Sequence, residues 1–280
     1  MEIIDLLNNG AVKLRKKNIS SSKLDAELLL AKVLNKNRED LLINLNKEVK
    51  HNIIKDFQKL INRRSLKEPI AYILKKKEFW STDFYVNSNT LIPRPETELL
   101  VEKIIKIFRF KRIFFLDIGT GTGCILLSIV RELKKSKGIG IDISSKAIKI
   151  AKINSNNLNL SHRAKFYTMS LDKFFHKKLD LVVSNPPYIM TKDIRNLNED
   201  IRKFEPKLAL DGGNDGLDVI KKVIYKSREI LKIKGLLALE IGNEQNKEVS
   251  KILKKNSFRI KYTVKDYKDN VRCLISSREN

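Results

Sequence analysis

Cysteine and histidine are scarce in this 280-residue sequence, which contains two cysteines and three histidines. Cys124 and Cys273 are too few for a disulfide framework, and neither has a Cys or His partner at metal-ligand spacing. The histidines His51, His162 and His176 are scattered, and each has a lysine or arginine neighbour. We therefore expect buried cysteines, surface histidines, no metal site and no histidine-based acid/base chemistry.

Long hydrophobic runs are also absent. The longest apolar stretches, such as Ile113 to Leu116 and Gly235 to Leu239, fall far short of the roughly 18–20 residues that a membrane span needs. Glu2 and Asp5 stand where a secretory signal would carry positive charge. The sequence therefore indicates no membrane partner and predicts a cytoplasmic protein.

Acidic residues are few relative to basic ones, because 33 Asp and Glu against 57 Lys and Arg give a formal net charge of +24 at pH 7. Such a charge suits nucleic-acid binding, since clustered Lys and Arg neutralise phosphates. The lysines are nevertheless spread along nearly every segment, in short runs such as Lys75–Lys77. The charge therefore follows a general compositional bias, and a functional basic surface stays an open alternative.

The apolar residues that are present, 42% of the chain, suffice for a sizeable core in one large domain or two modest ones. The first seventy or so residues have helical periodicity. Ser22 followed three positions later by Asp25 is a helix-start signature, and Leu24, Leu28 and Ala31 then recur at helical spacing. A second amphipathic helix is predicted further on. Its apolar face is formed by Ile54, Phe57, Leu60 and Ile61, and its polar face is formed by Lys55, Lys59 and Asn62.

The segment 70–92 has β character, because it is rich in Tyr, Phe, Trp and Val. Pro69 ends the helical run before it, and Pro93 and Pro95 follow it. We expect a hairpin-like connector here.

From Glu96 onward, helical segments alternate with short β-branched runs, which is the pattern of βαβ units. The predicted strands are Ile113–Asp117, Gly138–Ile143, Ala164–Met169, Leu179–Ser184, Gly235–Ile241, Ser257–Tyr262 and Arg272–Ser276. The predicted helices are Thr97–Phe108, Gly123–Leu133, Ser145–Asn156 and Val219–Leu231. The expected fold class is α/β with a doubly wound, mostly parallel sheet, in which ligands lie at the carboxyl ends of the strands.

A glycine-rich turn, Gly119-Thr120-Gly121-Thr122-Gly123, joins the first of these strands to the next helix. Its glycines let the backbone approach a ligand and expose N–H groups at a helix N-terminus. The dinucleotide pattern G-x-G-x-x-G fails, because Cys124 or Leu126 stands where its last glycine would be. Asp142 ends the next strand, where a carboxylate can accept hydrogen bonds from ribose hydroxyls. This combination fits S-adenosylmethionine as well as any nucleotide.

A buried strand ends in Asn185-Pro186-Pro187-Tyr188, which predicts a site for an NH₂ group. The two prolines remove backbone donors and leave carbonyl acceptors, and Asn185 adds a side-chain carbonyl oxygen. A planar amide or aromatic amine is a poor nucleophile unless its N–H bonds are held and its lone pair is aimed. Asn185 and the Pro186 carbonyl can hold such a group, and Tyr188 can stabilise positive charge on its nitrogen. No general base is needed before a methyl group is transferred to this nitrogen.

Several segments resemble those of a known family, the release-factor glutamine methyltransferases of PrmC/HemK type. Together with the glycine turn and Asn-Pro-Pro-Tyr, these segments extend over essentially the whole chain, and they occur in the same order as in the family. They are Leu24–Ala31, Glu68–Ile73, Glu78–Trp80, Leu91–Glu98, Glu205–Leu210, Asp215–Leu217, Leu239–Gly242 and Asp266–Asn270.

The resemblance implies methyl transfer from S-adenosylmethionine to the side-chain amide nitrogen of the glutamine in the Gly-Gly-Gln motif of class 1 peptide-chain release factors. It implies a Rossmann-like catalytic domain over 96–280, a connector over 71–95 and a helical substrate-recognition domain over 1–70. It assigns the cofactor to Gly119–Gly123, Asp142, Leu171 and Asn185, and the target glutamine to Asn185, Pro186, Pro187 and Tyr188. It also implies that Pro93–Glu98 closes over the cofactor. A monomer without a nucleic-acid substrate is expected.

Two departures from the family pattern stand out. Ser170-Leu171 replaces an Asp followed by a bulky apolar residue near the adenine, and Lys75 stands where a glycine is common. Asn-Pro-Pro-Tyr is also shared with adenine-amino methyltransferases, so an enzyme acting on DNA or RNA is the main alternative. A non-catalytic binding protein on a degenerate methyltransferase fold is the second, and the intact motifs argue against it.

Overall fold

The computed structural model describes residues 1–176 and 178–280. The chain folds as two units, the first comprising Met1–Lys76 with Asn198–Phe204 and the second comprising Lys77–Leu197 with Glu205–Asn280. Each unit has its own hydrophobic core. Within the described part of the chain, no helix combines the length and the apolarity needed to cross a bilayer.

Helices form the first unit. Phe57 and Ile61 of the His51–Ser65 helix are buried while Lys55 and Lys59 are exposed, which confirms the predicted faces of that helix. The first five helices of the chain are α1 (Ile3–Arg15), α2 (Ser22–Leu34), α3 (Arg38–Ile43), α4 (His51–Ser65) and α5 (Ile70–Leu74).

The predicted buried face of α2 is confirmed only at Ala31, which is buried. Leu24 is 44% exposed, whereas Leu29 and Leu30 are fully buried. Positions 28–31 are all apolar, so spacing alone could not tell which of two adjacent stripes faces the core. The predicted helix start is also corrected, because Ser22 is the first helical residue and Ser21, at the N-cap position, makes no side-chain cap.

The connector contains a hairpin, as predicted, but begins with a helix. Residues 70–74 form α5 instead of β structure, with Pro69 at the N-cap position. The hairpin follows as β1 (Lys76–Phe79) and β2 (Thr82–Tyr85). Its two loop residues, Trp80 and Ser81, both have positive φ (52° and 50°), which is the geometry of a type I′ turn.

A seven-stranded sheet organises the second unit, in the order β5-β4-β3-β6-β7-β9-β8. β5, β4, β3, β6 and β7 are parallel, and β9 pairs antiparallel with β7 and β8. The strands are β3 (Phe114–Ile118), β4 (Lys137–Asp142), β5 (Ala164–Thr168), β6 (Leu179–Ser184), β7 (Leu231–Glu240), β8 (Phe258–Lys265) and β9 (Val271–Arg278). The helices of this unit are α6 (Pro95–Phe108), α7 (Cys124–Glu132), α8 (Ser145–Asn157), α10 (Asp218–Ile230) and α11 (Asn246–Lys255), whereas α9 (Glu199–Phe204) belongs to the first unit.

This arrangement confirms the predicted doubly wound, mostly parallel sheet. Successive side chains of a strand face opposite sides of a sheet, so β3 sends Phe115 into one core cluster and Leu116 into the other. Helices α6, α7 and α8 cover the first face, and α10 and α11 cover the second. Strand order reverses between β3 and β6, and a crevice at the carboxyl ends of strands opens at such a point.

Candidate active site

The glycine loop (Gly119–Gly123) leaves β3 at the point where the strand order reverses. Gly119 and Gly121 have φ of +70° and +55°, in the left-handed region that favours glycine. A Cβ at Gly119 would meet no atom within 4 Å, and one at Gly121 would meet only the Gly119 carbonyl oxygen, at 3.9 Å. These two glycines therefore border open space, which leaves their backbone accessible to a ligand.

Hydrogen bonds fix the glycine loop against the end of β4. The Gly119 and Thr120 N–H groups donate to the Ile141 carbonyl oxygen at 2.9 and 3.0 Å. The Thr120 hydroxyl donates to the buried Asp117 carboxyl at 2.6 Å. Burial raises the pKa of Asp117 to about 7. The loop is thus a pre-formed backbone surface.

Asp142, the last residue of β4, is held beside this loop. Its Oδ2 accepts from the Gly121 N–H at 3.0 Å, and its Oδ1 accepts from the Ser144 N–H at 2.9 Å. Burial raises the pKa of its carboxyl, and these backbone donors oppose the rise. Each carboxylate oxygen has a second lone pair, so Asp142 can still accept hydrogen bonds from a ligand.

The Asn-Pro-Pro-Tyr loop (Asn185–Tyr188) leaves the neighbouring strand β6. Ile118 of β3 pairs in register with Ser184 of β6, so Gly119 and Asn185 follow adjacent strand ends. The structure therefore brings both predicted motifs to one edge of the sheet.

Contacts beyond Tyr188 hold this loop in place. The Tyr188 carbonyl accepts from Gln245 Nε2 at 3.1 Å, and the Ile189 N–H donates to the Leu210 carbonyl at 3.1 Å. Burial, and next the nearby Glu240 carboxyl, raise the pKa of the Tyr188 phenol to about 12. The phenol is therefore neutral near pH 7.

Asn185 is tied to two buried polar side chains from other elements. Its Nδ2 donates to Thr97 Oγ1 of α6 at 3.2 Å. Thr97 Oγ1 in turn donates to Oε2 of Glu240, the last residue of β7, at 2.6 Å. Burial raises the pKa of the Glu240 carboxyl to about 7, and the hydrogen bonds from Thr97 and Asn185 oppose the rise.

Glu205 forms hydrogen bonds with the segment that precedes α6, at Ile92 and Arg94. Its carboxylate accepts from the Ile92 N–H at 3.1 Å and from the Arg94 guanidinium at 2.5 Å. The segments Leu91–Glu98 and Glu205–Leu210 are therefore in direct contact.

Two family models match the chain. The PrmC N-terminal domain model matches residues 5–74, and the methyltransferase small domain model matches residues 94–203.

Curated relatives match most of the chain. The release factor glutamine methyltransferase of Clostridium acetobutylicum is 39% identical over 81% of this chain and 81% of its own length. The namesake from Buchnera aphidicola subsp. Acyrthosiphon pisum is 38% identical over 93% of this chain and 94% of its own length. The chain belongs to the release factor glutamine methyltransferase family. It is accordingly a methyltransferase, as the motifs predicted.

A solved structure supports the fold of this family member. The hMettl16 catalytic domain in complex with a 3′UTR hairpin matches with a TM-score of 0.59 and 16% identity, over 79% of this chain and 82% of that chain. At this identity the likeness concerns the fold alone.

Leu171 stands apart from the other predicted site residues. It is half-buried and begins a 3-10 turn, Leu171–Lys173, just beyond β5, which is the neighbour of β4. Its contact with the adenine stays a prediction. The predictions for the cysteines and histidines are confirmed, because Cys124 and Cys273 are buried and free and all three histidines are exposed. Across the described residues, no cluster of three His, Cys, Asp or Glu could hold a metal ion.

Thr97 and Glu240 are the polar residues that sequence reasoning missed. Both lie in segments that resemble the family, Leu91–Glu98 and Leu239–Gly242. Their place in these segments was the available signal that the two residues matter. Nothing in one sequence, however, shows that two residues 143 positions apart are in contact.

Proposed function

We propose that this chain transfers the methyl group of S-adenosylmethionine to the side-chain amide nitrogen of the glutamine in the Gly-Gly-Gln motif of class 1 release factors. The observation that carries the proposal is the adjacency of the glycine loop and the Asn-Pro-Pro-Tyr loop at the ends of β3 and β6. The first suits the methyl donor and the second suits a planar amide. The curated relatives carry this activity in their names.

The residues at the glycine loop fit S-adenosylmethionine. Gly119 and Gly121 border open space, and Asp142 is held where it can accept from ribose hydroxyls. We assign the cofactor to Gly119, Thr120, Gly121, Thr122, Gly123, Asp142, Leu171 and Asn185. When bound, S-adenosylmethionine supplies an electrophilic methyl group.

The Asn-Pro-Pro-Tyr loop prepares the target amide as a nucleophile. Asn185 Oδ1 and the Pro186 carbonyl accept its two N–H bonds, which holds the nitrogen lone pair toward the methyl donor. Pro186 and Pro187 have no N–H groups that could compete for these acceptors. The Tyr188 ring would stabilise the positive charge that develops on nitrogen, and the methylated nitrogen, now strongly acidic, would release one proton to water without a general base.

The three parts of the chain have separate tasks in this proposal. We assign substrate recognition to the helical domain 1–70, connection to 71–95 and catalysis to 96–280. A monomer suffices, because Thr97, Asn185, Glu240 and the glycine loop all come from one chain. The release factor is part of the translation machinery, so we place the enzyme in the cytoplasm.

Labelled S-adenosylmethionine tests the proposal against the adenine-amino alternative. We expect the purified protein to label a class 1 release factor and to leave duplex DNA and RNA unlabelled. The matched control is the same factor with its Gly-Gly-Gln glutamine changed to glutamate, which lacks the amide nitrogen. Label that persists on this control, or that occurs only on nucleic acid, contradicts the proposal.

Asn185→Ala tests the role of the loop. We expect a severe loss of kcat with largely retained cofactor affinity, because the change removes the amide acceptor and only one of the proposed cofactor contacts, and it leaves the glycine loop and Asp142 intact. Retained turnover would mean that the loop does not hold the amide.

A further inference from the structure

A chain of three side chains leads from the Asn-Pro-Pro-Tyr loop into the core. Asn185 Nδ2 donates to Thr97 Oγ1, and the Thr97 hydroxyl donates to Glu240 Oε2. Thr97 and Glu240 are each only 2% exposed. We infer that Thr97 and Glu240 are positioning residues that fix the orientation of the Asn185 side-chain amide for methyl transfer. The inference rests on the proposed function.

The direction of the hydrogen bonds gives this chain its effect. A carboxylate can only accept, so the one hydroxyl proton of Thr97 is used by Glu240. The Thr97 oxygen then has only lone pairs to offer, and it can pair with the NH₂ end of Asn185 but not with its carbonyl end.

The opposite orientation of Asn185 is penalised. A rotation of the amide by 180° fits the same space, but it would place Oδ1 against the Thr97 oxygen, which has no free proton, and against the Glu240 carboxylate, which also accepts from the Asn185 amide. Leaving two buried acceptors against each other without a proton is unfavourable. Oδ1 is therefore directed away from Thr97 and stays free for an N–H bond of the target amide.

The burial of Glu240 supports a polar task for this position. Taking a carboxyl out of water is costly, and an apolar residue would satisfy packing at the end of β7 better. Thr97 lies on α6 and Glu240 on β7, so two rigid elements aim the hydrogen bonds at a residue on a loop.

Thr97→Val tests the inference, because valine keeps the shape of threonine and removes its hydroxyl. We expect kcat for release-factor methylation to fall about 100-fold, as for a misplaced reacting group, while the Kd for S-adenosylmethionine measured by calorimetry is unchanged. Thr97→Ser restores the hydroxyl and should recover most of kcat. Thr82→Val is the matched control, since Thr82 is a buried threonine of the hairpin, and it should leave kcat unchanged.

The same change in an Asn185→Ala background shows whether Thr97 acts through Asn185. We expect no further loss of kcat there, and an additive loss would overturn the inference. It is also overturned if Thr97→Val keeps its kcat, if Thr97→Ser is as slow as Thr97→Val, or if cofactor affinity falls in parallel with turnover. Wild-type protein that labels no release factor refutes the proposed function, whereas an active wild type with an equally active Thr97→Val refutes this inference alone.

Discussion

At the residue scale, substitution of Gly119 should affect folding stability and cofactor binding for two different reasons. The φ of +70° at Gly119 costs a non-glycine residue about 1–2 kcal/mol, although a Cβ there would touch no protein atom. We expect Gly119→Ala to lower the free energy of unfolding by about that amount and to weaken cofactor binding strongly, because the new methyl group enters the space at the loop. Thermal unfolding and calorimetric titration with S-adenosylmethionine measure the two effects.

Gly123→Ala is the comparison for this prediction. Gly123 has a φ of +79°, and a Cβ at this position would lie 3.1 Å from the Phe166 ring. We expect a larger loss of stability than for Gly119→Ala. Wild-type cofactor affinity in Gly119→Ala would show that the open space at the loop is not where the cofactor lies.

The Glu240 carboxyl predicts a pH dependence of kcat. Burial raises its pKa to about 7, so the carboxylate is present above that pH and gains a proton below it. A protonated Glu240 can donate to Thr97, which releases the Thr97 proton toward Asn185 and removes the preference for one amide orientation. We expect kcat to fall as the pH is lowered through about 7. The other titratable or charged groups that act on Glu240 are Glu96, Arg272, Tyr188, Cys124 and Cys273.

Glu240→Gln isolates this effect. Glutamine can still accept from Thr97 through its carbonyl oxygen but does not titrate, so the acid limb of the kcat profile should disappear. An acid limb that persists in this variant belongs to another group, such as Asp117, whose pKa is also about 7 and which accepts from Thr120 of the glycine loop.

At the scale of elements, a buried ion pair joins α2 and α4. Arg64 Nε lies 2.6 Å from Asp25 Oδ2, and the two side chains are only 10% and 3% exposed. Removing one partner leaves an uncompensated buried charge, so Arg64→Met should destabilise the first unit by about 3–5 kcal/mol. Urea unfolding followed by helical circular dichroism measures the loss.

Two further variants control for this effect. Asp25→Leu combined with Arg64→Met should recover most of the stability, because an apolar pair replaces the charges. Lys59→Met breaks an exposed pair with Asp56 and should change the free energy of unfolding by less than about 1 kcal/mol. A similar loss in Lys59→Met and Arg64→Met would contradict the argument from burial.

At the scale of the whole molecule, the net charge of +24 favours expansion through self-repulsion. Salt screens this repulsion. The stability gained from reduced repulsion should exceed the stability lost because salt also weakens exposed ion pairs. We expect Tm to rise between about 20 and 200 mM NaCl. A gain of about 1 kcal/mol corresponds to roughly 2–4 °C. Scanning calorimetry measures the shift, KCl controls for a specific ion effect, and a constant or falling Tm would contradict the prediction.

The charge alone does not identify the substrate. A net charge of +24 suits nucleic-acid binding, whereas membership of the release factor glutamine methyltransferase family points to a release factor. Net charge describes the average surface, whereas substrate choice depends on a few groups at one edge of the sheet.

Local patterns in the sequence determined much of this protein. The predicted bounds of β6 are the observed ones, and Gly119, Asp142 and Asn185 lie at strand ends as expected, because periodicity and turn chemistry act over a few residues. Tertiary structure decided what depends on distant partners. It selected the Leu29–Leu30 face of α2 over Leu24, and it joined Asn185 to Thr97 and Thr97 to Glu240 across 88 and 143 positions. Hydrogen bonds and core packing of this kind depend on positions in space that the order of residues along the chain does not reveal.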